Sequence, residues 1–496
     1  MNCAFNFIKQ FLACVDNYPD VVAIVCDDRE YTYADFFAVV KTMHGHFSMH
    51  KQAKKILIAL DKNVFAYAAI FAALLSKKQY APLNMSLDKS AYDVIIQTYA
   101  PDIIVCTHAD FEQYDAVNIN VTTLSSLCGP VETFNVSIND NAAYTLFTSG
   151  TTGIPKGVQI NLRALNHYVE WVVNTVAVTS GTKWSQHPHL NFDLSVFDIF
   201  GALCQGATLV VFNSVVDKFF PAQKIKQYAI EIWNSVPSVI GLIGQGKQLN
   251  AAFLGSVKRI NFCGEPLFKS VVDSLFINLP EIIIQNTYGP TEATVSCTCV
   301  FLNKTNYLQY CADTIAIGQP IKNMQLWVRN EKGLEDDIGE LFISGIQLAD
   351  GYLKDNKLTQ EKFVRMYEGK QCITAFKTGD IVQRINQNIY FMHRIGDSIK
   401  INGLWVNLQR MREAIQLFAS AQVVCFVRHY KIIACIESEQ KYDIELLRDY
   451  LIQTLDAIHV PHQVISVSKL PLTANGKIDK NELLKEVEGE RIPARC

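Results

Sequence analysis

Short apolar runs alternate with amphipathic segments along most of the chain. Lys55–Leu60 has the length and apolar character of a buried strand, and Phe65–Ser76 has the pattern of a helix that follows it. The alternation continues in strand-like runs at 208–212, 231–236, 257–262 and 282–285, with helix-like segments at 222–230 and 268–279. This order predicts α/β layers with largely parallel sheets.

The pattern changes after about residue 395. Two neighbouring strand-like runs, 422–427 and 431–436, precede an amphipathic helix over 443–455 and a further strand over 463–467. These elements predict a compact α+β domain of about 100 residues, which is a usual domain size. We therefore expect a large α/β domain over 1–394 and a small C-terminal domain over 397–496.

Composition and charge agree with a folded protein of more than one domain. The chain has 496 residues, with 49% hydrophobic and 19% charged residues, which is more chain than one hydrophobic core usually serves. The formal net charge is -3, from 45 Lys and Arg against 48 Asp and Glu. This balance gives no electrostatic reason to expect nucleic acid or an anionic membrane as a partner.

The cysteines and the apolar stretches indicate a compartment. The 14 cysteines are scattered without a C-x-x-C pair, and Cys297 and Cys299 are the closest two. Metal clusters and disulfide frameworks need paired spacing, so we expect mostly buried, reduced thiols. The first residues do not have the pattern of a secretion signal, and the most apolar stretch, Phe65–Leu75, is too short to span a bilayer. These features predict a cytoplasmic protein.

A loop rich in glycine and hydroxyl groups lies between the apolar runs 144–147 and 158–160, which can pair as a hairpin. Glycine lets backbone N–H groups approach phosphate oxygens closely, hydroxyls add donors, and a lysine adds charge. A flexible surface hairpin can have the same composition, and the loop does not have the Walker A order of residues. The residues that would hold a nucleotide triphosphate are Thr148, Ser149, Gly150, Thr151, Thr152, Gly153 and Lys156.

The loop, Thr148-Ser-Gly-Thr-Thr-Gly-Ile-Pro-Lys-Gly157, resembles the signature of the adenylate-forming superfamily, which includes acyl-CoA synthetases, luciferases and adenylation domains of nonribosomal peptide synthetases. Further blocks resemble those of the superfamily and follow its order across nearly the whole chain. They are Tyr31-Thr-Tyr-Ala-Asp-Phe36, Tyr80-Ala-Pro-Leu-Asn84, Asn286-Thr-Tyr-Gly-Pro-Thr-Glu292, Gly339-Glu-Leu-Phe-Ile-Ser-Gly345 with Gly351-Tyr352, Lys377-Thr-Gly-Asp380 and Leu470-Pro-Leu-Thr-Ala-Asn-Gly-Lys-Ile-Asp479.

The resemblance implies that ATP activates a carboxylate with Mg²⁺ as cofactor. A carboxylate is already a nucleophile, so catalysis rests on positioning and on neutralising phosphate charge. Glu292 resembles the magnesium ligand, Asp380 the acceptor of the ribose hydroxyls, and Lys477 the lysine of a mobile catalytic loop. For each of the three, a solvated loop side chain is the alternative. The resemblance also assigns to ATP the residues Gly264, Glu265, Pro266, Thr287, Tyr288, Gly289, Thr291 and Arg394.

The hinge block departs from the superfamily pattern. The resemblance implies that the C-terminal domain rotates about residues 394–397, where Gly396 stands in place of the usual Asp or Lys. Glycine permits rotation but fixes neither end state, because its backbone is the least restricted. Gly396-Asp-Ser-Ile399 also imitates a phosphopantetheine attachment sequence, which its position in this block makes accidental. The thiol acceptor is therefore expected on a separate carrier protein.

Asp193 indicates that the activated acid is an amino acid. In amino-acid-activating members, the aspartate of Phe-Asp-x-Ser pairs with the substrate ammonium; an aspartate that caps a helix is the alternative. The motifs are most similar to the branch that ligates D-alanine to a carrier protein. Asn234 and Asn261 add polar capacity, so a small or polar amino acid is expected. The residues assigned to its pocket are Phe192, Asp193, Leu194, Phe197, Asn234, Asn261, Cys263, Thr287, Val295 and Ser296.

Three hypotheses follow from the sequence. The first is an enzyme that adenylates an amino acid and transfers it to a separate phosphopantetheinyl carrier protein. The second is an acyl- or aryl-CoA synthetase, which Asp193 opposes. The third is a non-catalytic homologue, which is supported only by the altered hinge block and opposed by the intact set of Lys156, Glu292, Asp380 and Lys477.

Overall fold

The computed structural model describes residues 5–87, 89–107, 111, 113–114, 116–121, 137–139, 141–148, 155–312, 314–369, 371–395, 398–401, 404–428, 431–440, 442–455, 459–471 and 482–483. The strands are β1 (Val22–Cys26), β2 (Arg29–Thr32), β3 (Lys55–Ala59), β4 (Gln79–Pro82), β5 (Ile103–Cys106), β6 (Val117–Asn120), β7 (Ala142–Thr148), β8 (Lys156–Asn161), β9 (Lys183–Gln186), β10 (Thr208–Val211), β11 (Ile232–Ser235), β12 (Arg259–Phe262), β13 (Ile283–Tyr288), β14 (Thr298–Leu302), β15 (Gln319–Pro320), β16 (Met324–Arg329), β17 (Ile338–Gly345), β18 (Gly351–Tyr352), β19 (Phe363–Glu368), β20 (Gln371–Ile385), β21 (Asn388–Arg394), β22 (Ser398–Ile401), β23 (Leu404–Asn407), β24 (Val423–Arg428), β25 (Lys431–Glu437) and β26 (Gln463–Val467).

The helices are α1 (Phe7–Asn17), α2 (Tyr33–Met49), α3 (Val64–Leu75), α4 (Lys89–Tyr99), α5 (Leu162–Thr175), α6 (Leu194–Leu203), α7 (Val215–Phe219), α8 (Ala222–Tyr228), α9 (Ser238–Gln245), α10 (Ala251–Leu254), α11 (Lys269–Asn278), α12 (Asn356–Lys362), α13 (Leu408–Ala419) and α14 (Ile444–Thr454). Every strand and helix that the alternating pattern predicted is present, with boundaries displaced by a few residues at most. The predicted α/β class is therefore confirmed.

The larger sheet of the described chain has the strand order β15-β14-β13-β12-β11-β9-β10-β1-β2. Its central neighbours, from β13 through β12, β11, β9 and β10 to β1, run parallel, and the outer strands are antiparallel. In open α/β sheets, ligands bind beyond the carboxyl ends of parallel strands. That edge of β11, β12 and β13 carries many of the predicted substrate residues.

A second sheet has the order β18-β8-β7-β4-β3-β5-β6. Strands β7 and β8 pair antiparallel, with Tyr144 opposite Ile160 and Thr148 opposite Lys156, so the predicted hairpin is confirmed. Strand β18 adds to the free edge of β8, with Tyr352 opposite Val158. The predicted phosphate loop therefore leaves and re-enters a sheet at two rigidly paired strand ends.

The largest hydrophobic cluster joins residues of both sheets with helices α1, α2, α3, α5 and α6. Helix α3 is apolar on nearly every face, and nearly all of its residues are buried, so the apolar run in the sequence forms a helix of the protein core. The ring of Phe71 lies 4.1 Å from Phe11, 5.4 Å from Phe200 and 5.8 Å from Phe36, between centroids. Such aromatic clusters add specific packing geometry to buried area.

The chain divides into two compact units. The first comprises Met1–Thr378 and Gln383–Phe391, and the second comprises Gly379–Val382 and Met392–Cys496. In the second unit, β24 and β25 are neighbours as predicted and pair antiparallel, β26 joins β25 in parallel, and α13 and α14 share one core with them. The predicted hinge near residues 394–397 falls within this unit, and its function stays a prediction.

The described cysteines are all free thiols and most are buried, as the scattered spacing predicted. Among the described helices, none is long and apolar enough to cross a bilayer.

Candidate functional site

The phosphate loop is anchored at Thr148 and Lys156, which are direct Cα partners at the ends of β7 and β8. Both side chains are partly exposed, so they are accessible to a ligand. The loop residues predicted between them, Ser149, Gly150, Thr151, Thr152 and Gly153, lie outside the described residues.

Glu292 lies in a 3₁₀ turn, Thr291–Ala293, directly after the end of β13. The hydroxyl of Tyr352 donates a hydrogen bond of 2.6 Å to Glu292 Oε1, and the Ala349 N–H donates to the Glu292 carbonyl at 2.8 Å. Tyr352 belongs to β18, which pairs with the strand that begins at Lys156. The carboxylate is therefore tied to the framework of the phosphate loop.

The carboxylate of Glu292 fits a magnesium ion that is held mainly by nucleotide. Magnesium usually takes one or two carboxylates together with waters and phosphate oxygens. No group of three or more His, Cys, Asp or Glu side chains able to hold a metal occurs in the described part of the chain. A single carboxylate beside the phosphate loop agrees with that shared mode of binding.

The turn after Glu292 has an unusual backbone. Thr294 and Val295 both have left-handed φ values, 55° and 69°, a conformation that is rare for β-branched residues. The Thr294 hydroxyl donates to the Gln347 carbonyl at 2.6 Å. A Cβ on Gly289 would lie 2.6 Å from the Cα of Ser296, so only glycine allows the turn to fold back on β13. This conformation directs Val295 and Ser296 toward Cys263.

Asp193 lies at the N-cap position of α6, but its side chain makes no capping hydrogen bond. Its Oδ2 instead accepts a hydrogen bond of 2.6 Å from the Thr291 hydroxyl. Burial raises the pKa of Asp193 to about 6, the Glu292 carboxylate adds to the rise, and the Thr291 hydrogen bond opposes it. The residue as a whole keeps partial exposure, and a cation placed against its carboxylate would favour the charged form.

Cys263, Val295 and Ser296 form one wall. The Cys263 sulfur lies 3.7 Å from Ser296 Oγ and 3.9 Å from the Val295 carbonyl oxygen. Burial raises the pKa of the Cys263 thiol to about 11, with the Asp193 charge adding to the rise. The residue is therefore a neutral thiol that shapes the wall, and it lacks the depressed pKa of a reactive nucleophile.

Asn234, Asn261 and Thr287 are buried at the carboxyl ends of three adjacent strands. Asn261 Nδ2 donates to Asn234 Oδ1 at 2.8 Å, and Asn234 Nδ2 donates to the Leu194 carbonyl at 3.1 Å. Thr287 Oγ1 donates to the Phe262 carbonyl at 3.0 Å. The polar capacity expected for a ligand is thus largely directed at protein partners. The assignment of Asn234 and Asn261 to the substrate pocket stays a prediction.

The apolar residues assigned to the pocket differ in their surroundings. Phe197 is fully buried, with its ring 5.3 Å from that of Trp184, and belongs to the main core. Leu194 is buried, and its Cδ1 lies 3.6 Å from the Cβ position of Gly264. Phe192 is partly exposed. Phe192 is therefore the member of this group with the most accessible surface.

The residues predicted to hold adenine lie at the ends of β12 and β13. Gly264 has φ +90°, a conformation that favours glycine, and Pro266 and Tyr288 are partly exposed. The exposed Glu265 has an additional structural contact, because its carboxylate accepts hydrogen bonds from the N–H and hydroxyl of Ser238 at 3.0 Å and 3.1 Å. Ser238 begins α9, so Glu265 satisfies a free N–H at that helix start.

In the second unit, Asp380 is buried and its Oδ1 lies 3.5 Å from Arg394 Nε. The structure therefore brings together two residues predicted to contact the nucleotide. Lys477, Gly396 and Asp397 lie outside the described residues.

The sequence reasoning did not identify the roles of Tyr352 and Tyr168. Tyr352 was quoted only as part of the Gly351-Tyr352 motif, and its contact with Glu292 depends on strand pairing. Tyr168 is fully buried and its hydroxyl faces the side chain of Ser296 in the wall. Burial raises its pKa, and the Cys263 and Asp193 charges contribute to the rise. No sequence signal distinguishes this tyrosine from the other core aromatics.

Known proteins resemble the chain along its whole length. The profile described as AMP-binding enzyme matches residues 11–353. A D-alanine–D-alanyl carrier protein ligase of Staphylococcus epidermidis is 28% identical over 505 residues, which cover 98% of this chain and 99% of the relative. The ligase of the same description from Bacillus licheniformis is 27% identical, covering 95% and 97% of the two chains.

Solved structures show the same fold. The Vibrio cholerae adenylation domain AlmE in complex with glycyl-adenosine-5'-phosphate has a TM-score of 0.72 at 23% identity, covering 99% of this chain and 98% of that one. Klebsiella oxytoca NpsA in complex with 3-hydroxyanthranilyl-AMSN has a TM-score of 0.84 at 19% identity, covering 98% and 100%. Both chains, like this one, carry the adenylate-forming fold with its small C-terminal domain.

Proposed function

The chain belongs to the AMP-binding enzyme family, and from this premise we propose that it activates an amino acid with ATP and transfers it to a carrier protein. The products of the first step are aminoacyl-AMP and pyrophosphate. In the second step the acceptor is the phosphopantetheine thiol of a separate carrier protein. The carboxylate of Asp193, which accepts a hydrogen bond from Thr291 next to Glu292, is the observation that carries this proposal, because it offers a substrate ammonium an anionic partner.

The residues of the site match the needs of the first step. A substrate carboxylate oxygen attacks the α-phosphorus, the bond to the bridging oxygen breaks, and pyrophosphate leaves with the bonding electrons. The reaction needs a held carboxylate and neutralised phosphates more than it needs a nucleophilic side chain. Asp193 orients the substrate through its ammonium, and Lys156 offers a positive charge to the departing pyrophosphate. Magnesium, when bound at Glu292, would neutralise further phosphate charge.

The second step needs a thiol and the acyl carbon of the adenylate. The thiol sulfur attacks that carbon, AMP leaves, and the thiol proton is released. We expect Lys477 to act only in the first step, where it would bridge the carboxylate and the phosphate. Lys477→Ala should therefore nearly abolish adenylate formation and leave thioester formation from supplied aminoacyl-adenylate intact. Equal loss of both steps would refute this role.

The nucleotide residues are proposed by the same reasoning. Tyr288 and the turn from Gly264 to Pro266 would hold adenine. Asp380 would accept hydrogen bonds from the ribose hydroxyls, and its neighbour Arg394 would balance its charge. A hinge at residues 394–397 between domains 1–394 and 397–496 would serve the change from the first step to the second. A cytoplasmic location is proposed because the cysteines are free and the reaction consumes ATP.

A small amino acid is the proposed substrate. The wall of Cys263, Val295 and Ser296 closes tightly, with the sulfur in contact with both neighbours. The relatives with the D-alanine ligase description and the AlmE complex with a glycyl adenylate support a small side chain.

ATP–pyrophosphate exchange against amino acids, fatty acids and aryl acids tests the function. We expect exchange with one or more small amino acids, and Asp193→Asn should lower its kcat/KM at least about 30-fold while nucleotide binding persists. Exchange only with a fatty or aryl acid would instead establish a CoA synthetase. No exchange with any acid by a protein that still binds ATP would favour a non-catalytic homologue.

A further inference from the structure

Two asparagines below the pocket form a ladder of side-chain amides. Asn234 and Asn261 are Cα partners on the parallel strands β11 and β12, and both are at most 1% exposed. Asn261 donates to Asn234 at 2.8 Å, and Thr287 Oγ1 lies 3.4 Å from Asn261 Oδ1. Register therefore aligns Asn234 with Asn261, and Thr287, two residues beyond the β13 partner of Asn261, joins them by a diagonal contact. We call Thr287, Asn261 and Asn234 the amide ladder.

At its β11 end the ladder contacts helix α6, through the peptide next to Asp193 and through the buried carboxylate of Asp198. Asn234 Nδ2 donates to the carbonyl of Leu194, which is the first residue of α6. Asp193 stands at the N-cap position of α6 without a capping hydrogen bond, and its carboxylate contacts the Leu194 backbone and the Thr291 hydroxyl. The contact from Asn234 thus supports the turn from the side of the sheet.

We propose that Asn234 is a positioning residue that sets the place of the Asp193 carboxylate through the first turn of α6. Asn261 holds the amide of Asn234 in the rotamer that makes this contact. The inference rests on the proposed activation of an amino acid, since it assigns to Asp193 the substrate ammonium. Asn234 and Asn261, which the sequence assigned to the substrate pocket, thereby have a role that does not depend on the side chain of the substrate.

A positioning role and a side-chain contact predict different kinetics. A residue that lines the pocket changes the ranking of substrates, because a methyl or hydroxyl group gains or loses a neighbour. A residue that positions Asp193 acts on the ammonium group, which all amino acids share. Its loss should therefore raise the KM of every amino acid by one common factor and leave the KM of ATP unchanged.

The test uses the full chain with Asn234→Leu and Asn261→Leu, because leucine is close in shape and lacks the amide. Kinetics of exchange with glycine, alanine, serine and 2-aminobutyrate give KM and kcat for each variant. We expect Asn234→Leu to raise every amino acid KM about tenfold and Asn261→Leu about threefold, as for lost buried hydrogen bonds. The double variant should match Asn234→Leu, because both act through one chain of contacts.

Cys263→Ala is the matched control, since Cys263 lies in the wall and, in the described structure, its side chain meets the ladder at Thr287 and not at Asn234 or Asn261. It should change the ranking of substrates by side-chain size. Thermal unfolding and fluorescent-nucleotide binding establish that each variant is folded. Asn234→Thr keeps a donor and a strand-compatible shape, and should show a smaller common factor if leucine prevents folding.

The outcomes separate the inference from the function. A changed ranking in Asn234→Leu, or an equal rise in the KM of ATP, would overturn the positioning role while the wild-type exchange upholds the function. Absence of exchange with every amino acid in the wild-type protein would overturn the function and, with it, the role of the ladder.

Discussion

The pKa of Asp193 makes amino acid binding dependent on pH in a defined direction. Burial raises this pKa to about 6 in the free protein, well above its ordinary value of 3.8. The protonated acid cannot pair with an ammonium ion, whereas the substrate ammonium keeps its charge over this range. Substrate capture therefore requires ionised Asp193, and kcat/KM for the amino acid should fall as pH falls through about 6.

The magnitude follows from the ionised fraction. With a pKa of about 6, roughly 97% of Asp193 is charged at pH 7.5 and roughly 9% at pH 5. The expected fall in kcat/KM between these values is therefore about tenfold. The bound ammonium stabilises the charged carboxylate, so kcat at saturating amino acid should change much less. This contrast follows because kcat/KM reports the free enzyme and kcat reports the complex.

Exchange kinetics from pH 5 to 8 measure both quantities, with ATP saturating. Thr291→Val is an informative companion, because the Thr291 hydroxyl donates to Asp193 and lowers its pKa. Its loss should move the inflection of kcat/KM to higher pH. Asp193→Asn should lose at least about 30-fold in kcat/KM, as for a broken charge pair, and lose the inflection. A flat wild-type profile, or an inflection retained in Asp193→Asn, would refute the reasoning.

Three further changes test other contacts. Tyr352→Phe removes the hydrogen bond to Glu292, so the Mg²⁺ concentration for half-maximal exchange should rise about tenfold. Binding of Mn²⁺, measured by electron paramagnetic resonance, should weaken as well. An unchanged dependence on metal concentration would contradict this role of Tyr352. Tyr144→Phe removes a buried hydroxyl that has no hydrogen-bond partner in the described structure, and it should stabilise the fold by about 1 kcal/mol in thermal unfolding. Tyr33→Phe, whose hydroxyl donates to a carbonyl at 2.9 Å, should destabilise the fold by about as much; shifts of the same sign would count against the argument. Gly289→Ala places a methyl group 2.6 Å from backbone, so exchange should be lost and the melting temperature should fall; a variant with wild-type stability would show that the turn can adjust.

The alternating pattern was sufficient to predict the layers and most of their elements. Strand β3 and helix α3 were expected as a buried pair, and the structure has both within one or two residues. Such predictions succeed because burial on one face or on all faces leaves a period in the sequence. The order of strands in the large sheet cannot be read from such a period. In the sheet, β9 lies between β11 and β10, so the spatial order of β9 and β10 differs from their order along the chain. Crossover connections decide that order, and they depend on packing.

The side-chain partners within the site depend on register in the same way. Asn234 and Asn261 were interpreted as ligand-facing because their positions in the resemblance line a pocket, and their chemistry allows that role. Their strands are 24 residues apart at the nearest ends, yet parallel pairing makes them Cα neighbours. A buried amide takes the partner that register supplies, because an unmet amide is costly. Two asparagines aligned across a sheet therefore hydrogen-bond each other first. A pocket lined by such residues then contains polar side chains but has few free donors or acceptors for a ligand.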